Sequence, residues 1–150
     1  MLFRSLPNWV QARRRNATTL DDALSRIPGI RTETPDDHSF HSYYKHYAFV
    51  RPEQLQNGWT RDLIVKSLQK EGIPCGSGIC CEIYQEAAFE LAGLQPAQRL
   101  PNAWQLSDTS LMFVVHPTLS EPDMLDTARA VAKVMSHATQ RSLLPIARAA

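Results

Sequence analysis

The chain has 150 residues and a formal charge of +1, from 16 basic and 15 acidic side chains. That is the size of one ordinary domain, with no broad electrostatic footprint for nucleic acid or an anionic membrane. With 43% apolar and 21% charged residues the composition excludes general disorder, and no run approaches the roughly 18 consecutive apolar residues of a membrane-spanning helix.

From Asn8 to Ile27 the sequence reads as a helix, because Trp9, Leu20, Ala23, Leu24 and Ile27 recur at helical steps with Pro7 just ahead and Pro28-Gly29 behind. Its Arg13-Arg14-Arg15 triplet reads as a solvated face. Thr32 to His38, with Pro35 and two aspartates, reads as a loop. A strand is expected over Ser42 to Val50, where Tyr43, Tyr44, Tyr47, Phe49 and Val50 give high β-propensity. Thr60 is placed to cap a second helix with Leu63, Ile64, Val65, Leu68 and Ile73 on its buried side, and Gly72 to stop it. Ile73 to Gly78 reads as a short extended piece turning into a loop.

Short helices are expected around Glu82 to Leu91 and Asn102 to Leu106. Ser110 to Val115 reads as a largely buried strand. The last helix has the clearest pattern: Ser120 and Asp123 resemble a capping box, Pro122 falls in the first turn, and Met124, Ala128, Val131 and Met135 follow at helical spacing. Beyond Gln140 the chain continues as helix or frays. The expected fold class is α+β, a small sheet of about three strands covered by helices mostly on one side.

The residues alone assemble no catalytic group. No Ser–His–Asp or Cys–His set follows from spacing. His41 and His46 would point to opposite faces of a strand, so they read as polar residues at its start and on its exposed side. His116 before Pro117 reads as a backbone hydrogen-bonding residue at a strand end. Gly76-Ser77-Gly78 lacks the phosphate-loop pattern. Cys75, Cys80 and Cys81 lack the paired partners of a structural zinc site; an odd set in one stretch, with no apolar leader, leads to the expectation of a cytoplasmic chain.

A resemblance goes further. The blocks His41-Ser42-Tyr43-Tyr44-Lys45-His46-Tyr47-Ala48-Phe49-Val50, Gly58-Trp59-Thr60-Arg61-Asp62, Gly72-Ile73-Pro74-Cys75, Glu82-Ile83-Tyr84, Arg99-Leu100-Pro101 with Ala103, and Thr109 to Leu119 stand in the order and at the spacing of a known family. They resemble the C-terminal small domain of the DegT/DnrJ/StrS aminotransferases, which depend on pyridoxal phosphate and act mainly on nucleotide-linked keto-sugars. The resemblance implies that residues 1–31 are the linker helix from a large domain and residues 32–150 the small domain. It also implies that the Schiff-base lysine and the other cofactor contacts lie in that large domain, preceding residue 1.

None of Lys45, Lys66, Lys70 or Lys133 matches a cofactor-lysine motif, so no catalytic residue and no bound cofactor is expected in this chain alone. Transferred by position, the resemblance makes His41, Tyr43, Tyr44, Ser77, Gly78 and Tyr84 the substrate-facing candidates. Gly-Ser-Gly-Ile-Cys-Cys stands where many members carry a His-Tyr-Pro type segment, which points to a different substrate.

The resemblance implies a domain of an aminotransferase that is inactive without its large domain or a partner subunit. The alternatives are a self-standing binding or regulatory module that reuses the fold, and an unrelated small enzyme using His41, His46 or Cys80. A chain lacking its large domain would expose apolar surface, so a weak, concentration-dependent homodimer is expected.

Overall fold

In the computed structural model, which describes residues 2–78 and 82–139, the first element is helix α1, Leu2–Leu24. Pro7 lies inside it rather than ahead of it. A proline there removes one backbone hydrogen bond and crowds the carbonyl of Phe3, but these turns are exposed and water can satisfy that carbonyl. The helix ends three residues before the expected Ile27, whose amide instead closes a turn onto the Leu24 carbonyl at 3.0 Å. Gly29 then reverses the chain at φ +81°, where a Cβ would meet Met135 Cε at 2.7 Å; a side chain fits neither the backbone nor the space.

Among the described residues the sheet has four strands, one more than the about three expected. The addition is β1, Ile30–Thr32, too short to show alternation in sequence. It pairs antiparallel with β2, His46–Val50, placing Ile30 opposite Val50 and Thr32 opposite Ala48. β2 begins four residues later than the aromatic run predicts, because Tyr43 sits at φ +46°, a left-handed conformation no strand tolerates. His41 is therefore outside the strand. A 3₁₀ turn, Pro52–Gln54, leads on to helix α2, Arg61–Lys70. Thr60 caps α2 by accepting from the Leu63 amide at 3.2 Å, and Gly72 turns the chain at φ +83°. Ile64 and Leu68 are buried there, whereas Leu63, expected on the same side, is exposed.

Two-residue strand β3, Cys75–Gly76, precedes a 3₁₀ turn at Ile83–Gln85 and helix α3, Ala87–Leu91, in the stretch read as one helix. Helix α4, Pro101–Thr109, runs directly into strand β4, Ser110–Phe113. Helix α5, Glu121–Thr139, is capped as its pattern predicts: Asp123 Oδ2 accepts from both the amide and the hydroxyl of Ser120 at 2.7 Å. All strand pairs are antiparallel, in the order β1-β2-β4-β3.

Alternation divides the sheet. His46, Ala48 and Val50 of β2, with Leu111 and Phe113 of β4, face inward and are buried with Leu20 and Leu24 of α1, Ile64 and Leu68 of α2, and Met124, Val131 and Met135 of α5. Three helices thus cover one face. Each such aliphatic side chain contributes about 1.5–3 kcal/mol when fully buried, so this layer is what holds the sheet. Tyr47, Phe49 and Met112 lie on the other, half-covered face.

Candidate functional site

The six candidate positions fall into three groups around the sheet. The first is the turn before β2. There the His41 carbonyl accepts from Arg14 of α1 at 2.8 Å and its Nδ1 accepts from the Tyr43 amide at 3.2 Å. The two rings meet edge to face with centroids 4.4 Å apart. These contacts hold Tyr43 in its left-handed conformation, with its ring stacked at 6.4 Å on His46. Burial, and next the negative charge of Asp21, push the Tyr43 hydroxyl above its ordinary pKa, against the opposing charge of Arg14. Tyr44 by contrast is 74% exposed, with the Lys45 ammonium 5.7 Å from its ring centroid.

Beneath this turn is a pair the sequence did not announce. His46, expected on an exposed side, is 1% exposed, and its Nε2 lies 2.8 Å from Asp21 Oδ1 of α1. A carboxylate only accepts, so Nε2 carries the hydrogen. The other ring nitrogen, Nδ1, is buried without a hydrogen-bond partner.

The second group is the turn after β3. Ser77 is exposed, and its carbonyl accepts from Ser110 Oγ of β4 at 2.7 Å. Gly78 has φ +89°, and a Cβ on it would stand 2.7 Å from Tyr47 Cε1 and 3.1 Å from the Tyr47 hydroxyl. Tyr47, on the outer sheet face, is therefore the floor on which this turn rests; sequence reasoning missed it, although an aromatic at an outward position of β2 was the available signal. Cys80 and Cys81 lie outside the described residues.

The third group centres on Glu82, which is buried and accepts four hydrogen bonds. Arg99 grips it through Nε at 2.7 Å and Nη2 at 2.5 Å, the Tyr84 hydroxyl donates at 2.6 Å, and Gln85 Nε2 donates at 3.0 Å. The hydrogen bonds and charge of Arg99 hold the Glu82 carboxyl down at about 2, against burial. The Tyr84 hydroxyl also accepts from the Leu100 amide at 3.1 Å, and Arg99 stands 5.0 Å over the Trp104 ring. Tyr84 is thus engaged on both sides of its oxygen, as part of a clasp joining the start of the 83–108 segment to the head of α4.

No set of three His, Cys, Asp or Glu side chains converges among the described residues. Clefts lie elsewhere among the described residues. One of about 280 Å³ lies beside Trp59, Arg61, Asp62 and Asp108, and one of about 190 Å³ beside Ile73, Pro74, Leu119 and Met124. No lysine lines either. Lys66 and Lys70 stand exposed on α2, and Lys133 pairs with Glu71 at 2.8 Å. Lys45 lies beside the Tyr44 ring. Cys75 is buried, which pushes its thiol up to about 12 and away from nucleophilic use. No helix among the described residues is long and apolar enough to cross a membrane.

Residues 2–132 match the model of the DegT/DnrJ/EryC1/StrS aminotransferase family. The chain is 27% identical over 146 residues to a dTDP-4-dehydro-2,3,6-trideoxy-D-glucose 4-aminotransferase of Saccharopolyspora spinosa, covering 95% of this chain and 34% of that protein. The fold superposes on an aminotransferase from Psychrobacter cryohalolentis with a TM-score of 0.79 and 37% identity, covering 90% of this chain and 36% of that one. It also superposes on the aminotransferase TlmJ from Streptoalloteichus hindustanus (TM-score 0.74, 22% identity, 89% and 33% coverage), a likeness of fold alone. The chain spans about a third of the length of these relatives.

Proposed function

Because the chain belongs to the DegT/DnrJ/EryC1/StrS aminotransferase family, we propose that it is the small C-terminal domain of an aminotransferase acting on a nucleotide-linked keto-sugar. On this reading residues 1–31 are the linker helix from a large, cofactor-binding domain, and residues 32–150 are the small domain itself. The observation that carries the reading is the combination of a family match over residues 2–132 with a span of about a third of the relatives. The chemistry of amino transfer needs a cofactor held by a pocket amine. Neither of the two clefts described is lined by a lysine, which supports the reading that the amine belongs to the large domain and that this chain by itself is inactive.

The contribution of this chain is then to wall one side of the substrate cleft. Tyr44 and Ser77, both exposed, are the side chains offered to the sugar nucleotide. His41, Tyr43, Gly78 and Tyr84 shape that wall: His41 holds the turn of Tyr43, Gly78 lies against Tyr47, and the Tyr84 hydroxyl ties Glu82 to Leu100. The buried free thiol of Cys75 suits a cytoplasmic location.

A domain exchange tests this. In the Psychrobacter cryohalolentis relative the matching third is replaced by this chain, and transamination is followed on a set of nucleotide-linked keto-sugars. The expected result is a folded, cofactor-loaded hybrid with turnover on at least one of them, lost with Tyr44→Ala and Ser77→Ala together. A hybrid that folds and holds cofactor yet aminates none of them would overturn the reading.

A further inference from the structure

Ser110, the first residue of β4, is buried and commits each of its three polar groups to a different element. Its amide donates to the Leu106 carbonyl and so closes the end of α4. Its carbonyl accepts from Nη1 of Arg61, the first residue of α2, at 3.0 Å, and that guanidinium is held in turn by Asp62, which accepts from its Nε at 2.7 Å. Its hydroxyl donates to the Ser77 carbonyl at 2.7 Å, across 33 residues of sequence. A hydroxyl buried in a strand needs an acceptor, and the one it finds here is the backbone of the turn that presents Ser77.

The ladder between β3 and β4 stops one residue short of that point. Cys75 stands opposite Phe113 and Gly76 opposite Met112, and Gly78 then leaves the strand direction at φ +89°. Ser77 lies between the last ladder pair and the left-handed glycine, so the Ser110 hydroxyl extends the tie to β4 where backbone pairing ends. Tyr47 supports the same turn differently: its ring lies against Gly78. A packing contact of that kind limits how closely the turn approaches the sheet. A hydrogen bond is directional, and it fixes where the Ser77 backbone stands.

On the reading that the exposed Ser77 side chain is offered to the sugar nucleotide, on which this inference rests, we infer that Ser110 is a positioning residue for substrate binding. Its hydroxyl holds the Ser77 carbonyl and thereby sets the direction in which the Ser77 hydroxyl is presented. Being buried, Ser110 acts through Ser77 and not on the substrate itself. Loss of its hydroxyl leaves the amide and carbonyl ties to α4 and α2 in place. Ser77 is exposed, so water can take over its carbonyl; the fold is kept and the turn is loosened. The effect falls on KM, because an interaction made equally to substrate and transition state changes binding without changing kcat.

Steady-state kinetics of the hybrid between this chain and the Psychrobacter cryohalolentis relative test it, on the nucleotide-linked keto-sugar that the hybrid turns over best. Circular dichroism and cofactor absorbance confirm that each variant is folded and loaded. Ser110→Ala should raise KM by about three- to tenfold, the worth of one hydrogen bond, with kcat unchanged. Ser77→Ala should raise KM as well, and adding Ser110→Ala to it should change KM no further, because the two residues act as one unit. Should Ser110→Ala fail to fold, Ser110→Cys, close in shape and a weak donor, gives the same readout. An unchanged KM in the Ser110 variant, a loss confined to kcat, a KM insensitive to Ser77→Ala, or effects of the two alanines that simply multiply would overturn the inference and leave the reading of the domain standing. An unaltered hybrid that folds and holds cofactor yet aminates no keto-sugar would overturn that reading, and the inference with it.

Discussion

Replacing Gly78 by alanine separates two costs that the structure places at one residue. An L-residue at φ +89° costs roughly 1–2 kcal/mol, partly offset by about 0.4–1 kcal/mol from the stiffer unfolded chain. The new Cβ would also stand 2.7 Å from Tyr47 Cε1, so the ring or the turn must move; such overpacking costs about 1–3 kcal/mol. The net expectation for Gly78→Ala is a loss of about 1–4.5 kcal/mol, read from the midpoint of urea unfolding. Gly58, at φ +87° with no atom within 4 Å of its would-be Cβ, is the control. Gly58→Ala should show the conformational cost alone. In a Tyr47→Ala background the cost of Gly78→Ala should fall by about 1 kcal/mol, the coupling expected of residues in contact. Equal costs at positions 78 and 58, or strict additivity with Tyr47→Ala, would refute the view that Tyr47 is the floor of this turn.

The Glu82 clasp predicts a pH dependence. Its carboxyl is held at about 2 in the fold against about 4.3 in an unfolded chain, so its contribution is full above the unfolded value and is lost as pH falls from there toward about 2. Protection factors across residues 83–108, taken against the intrinsic exchange rate at each pH, should therefore hold at neutral pH and fall only in that acid window, whereas Arg99→Met should lower them at neutral pH. Asp21→Ala leaves the Nε2 donor of buried His46 unpaired and should cost about 1–3 kcal/mol in thermal unfolding; a change near zero would show the pair to be incidental. Cys75, with its thiol pushed up to about 12, should stay unmodified by iodoacetamide at pH 8 in the native chain and react once urea is added, as peptide mapping would show.

What could be read from the sequence was local. Thr60 and the Ser120–Asp123 pair cap their helices within one turn, and Gly72 stops α2 where its backbone freedom is needed, so each was legible from neighbours alone. The misplaced features are those fixed at a distance. β1 is three residues whose only reason to be a strand is Val50 opposite Ile30. The β-propensity of Tyr43-Tyr44 is overridden because Arg14 and His41, from the helix and the preceding loop, hold the turn. His46 looked like a surface histidine because its partner Asp21 lies 25 residues away, and Glu82 looked like a helix start because Arg99 lies 17 residues on. For the candidate site, sequence supplied the positions through resemblance, and the structure divides them into side chains that are exposed and side chains that hold a turn.

If the amine that holds the aldehyde cofactor belongs to a large domain, this chain alone holds none. Incubation of the chain with pyridoxal phosphate, borohydride reduction and peptide mass spectrometry tests it most directly. The expected result is scattered, substoichiometric labelling of Lys45, Lys66, Lys70 and Lys133, with no internal-aldimine absorbance band. One adduct per chain on a single one of those lysines would contradict it.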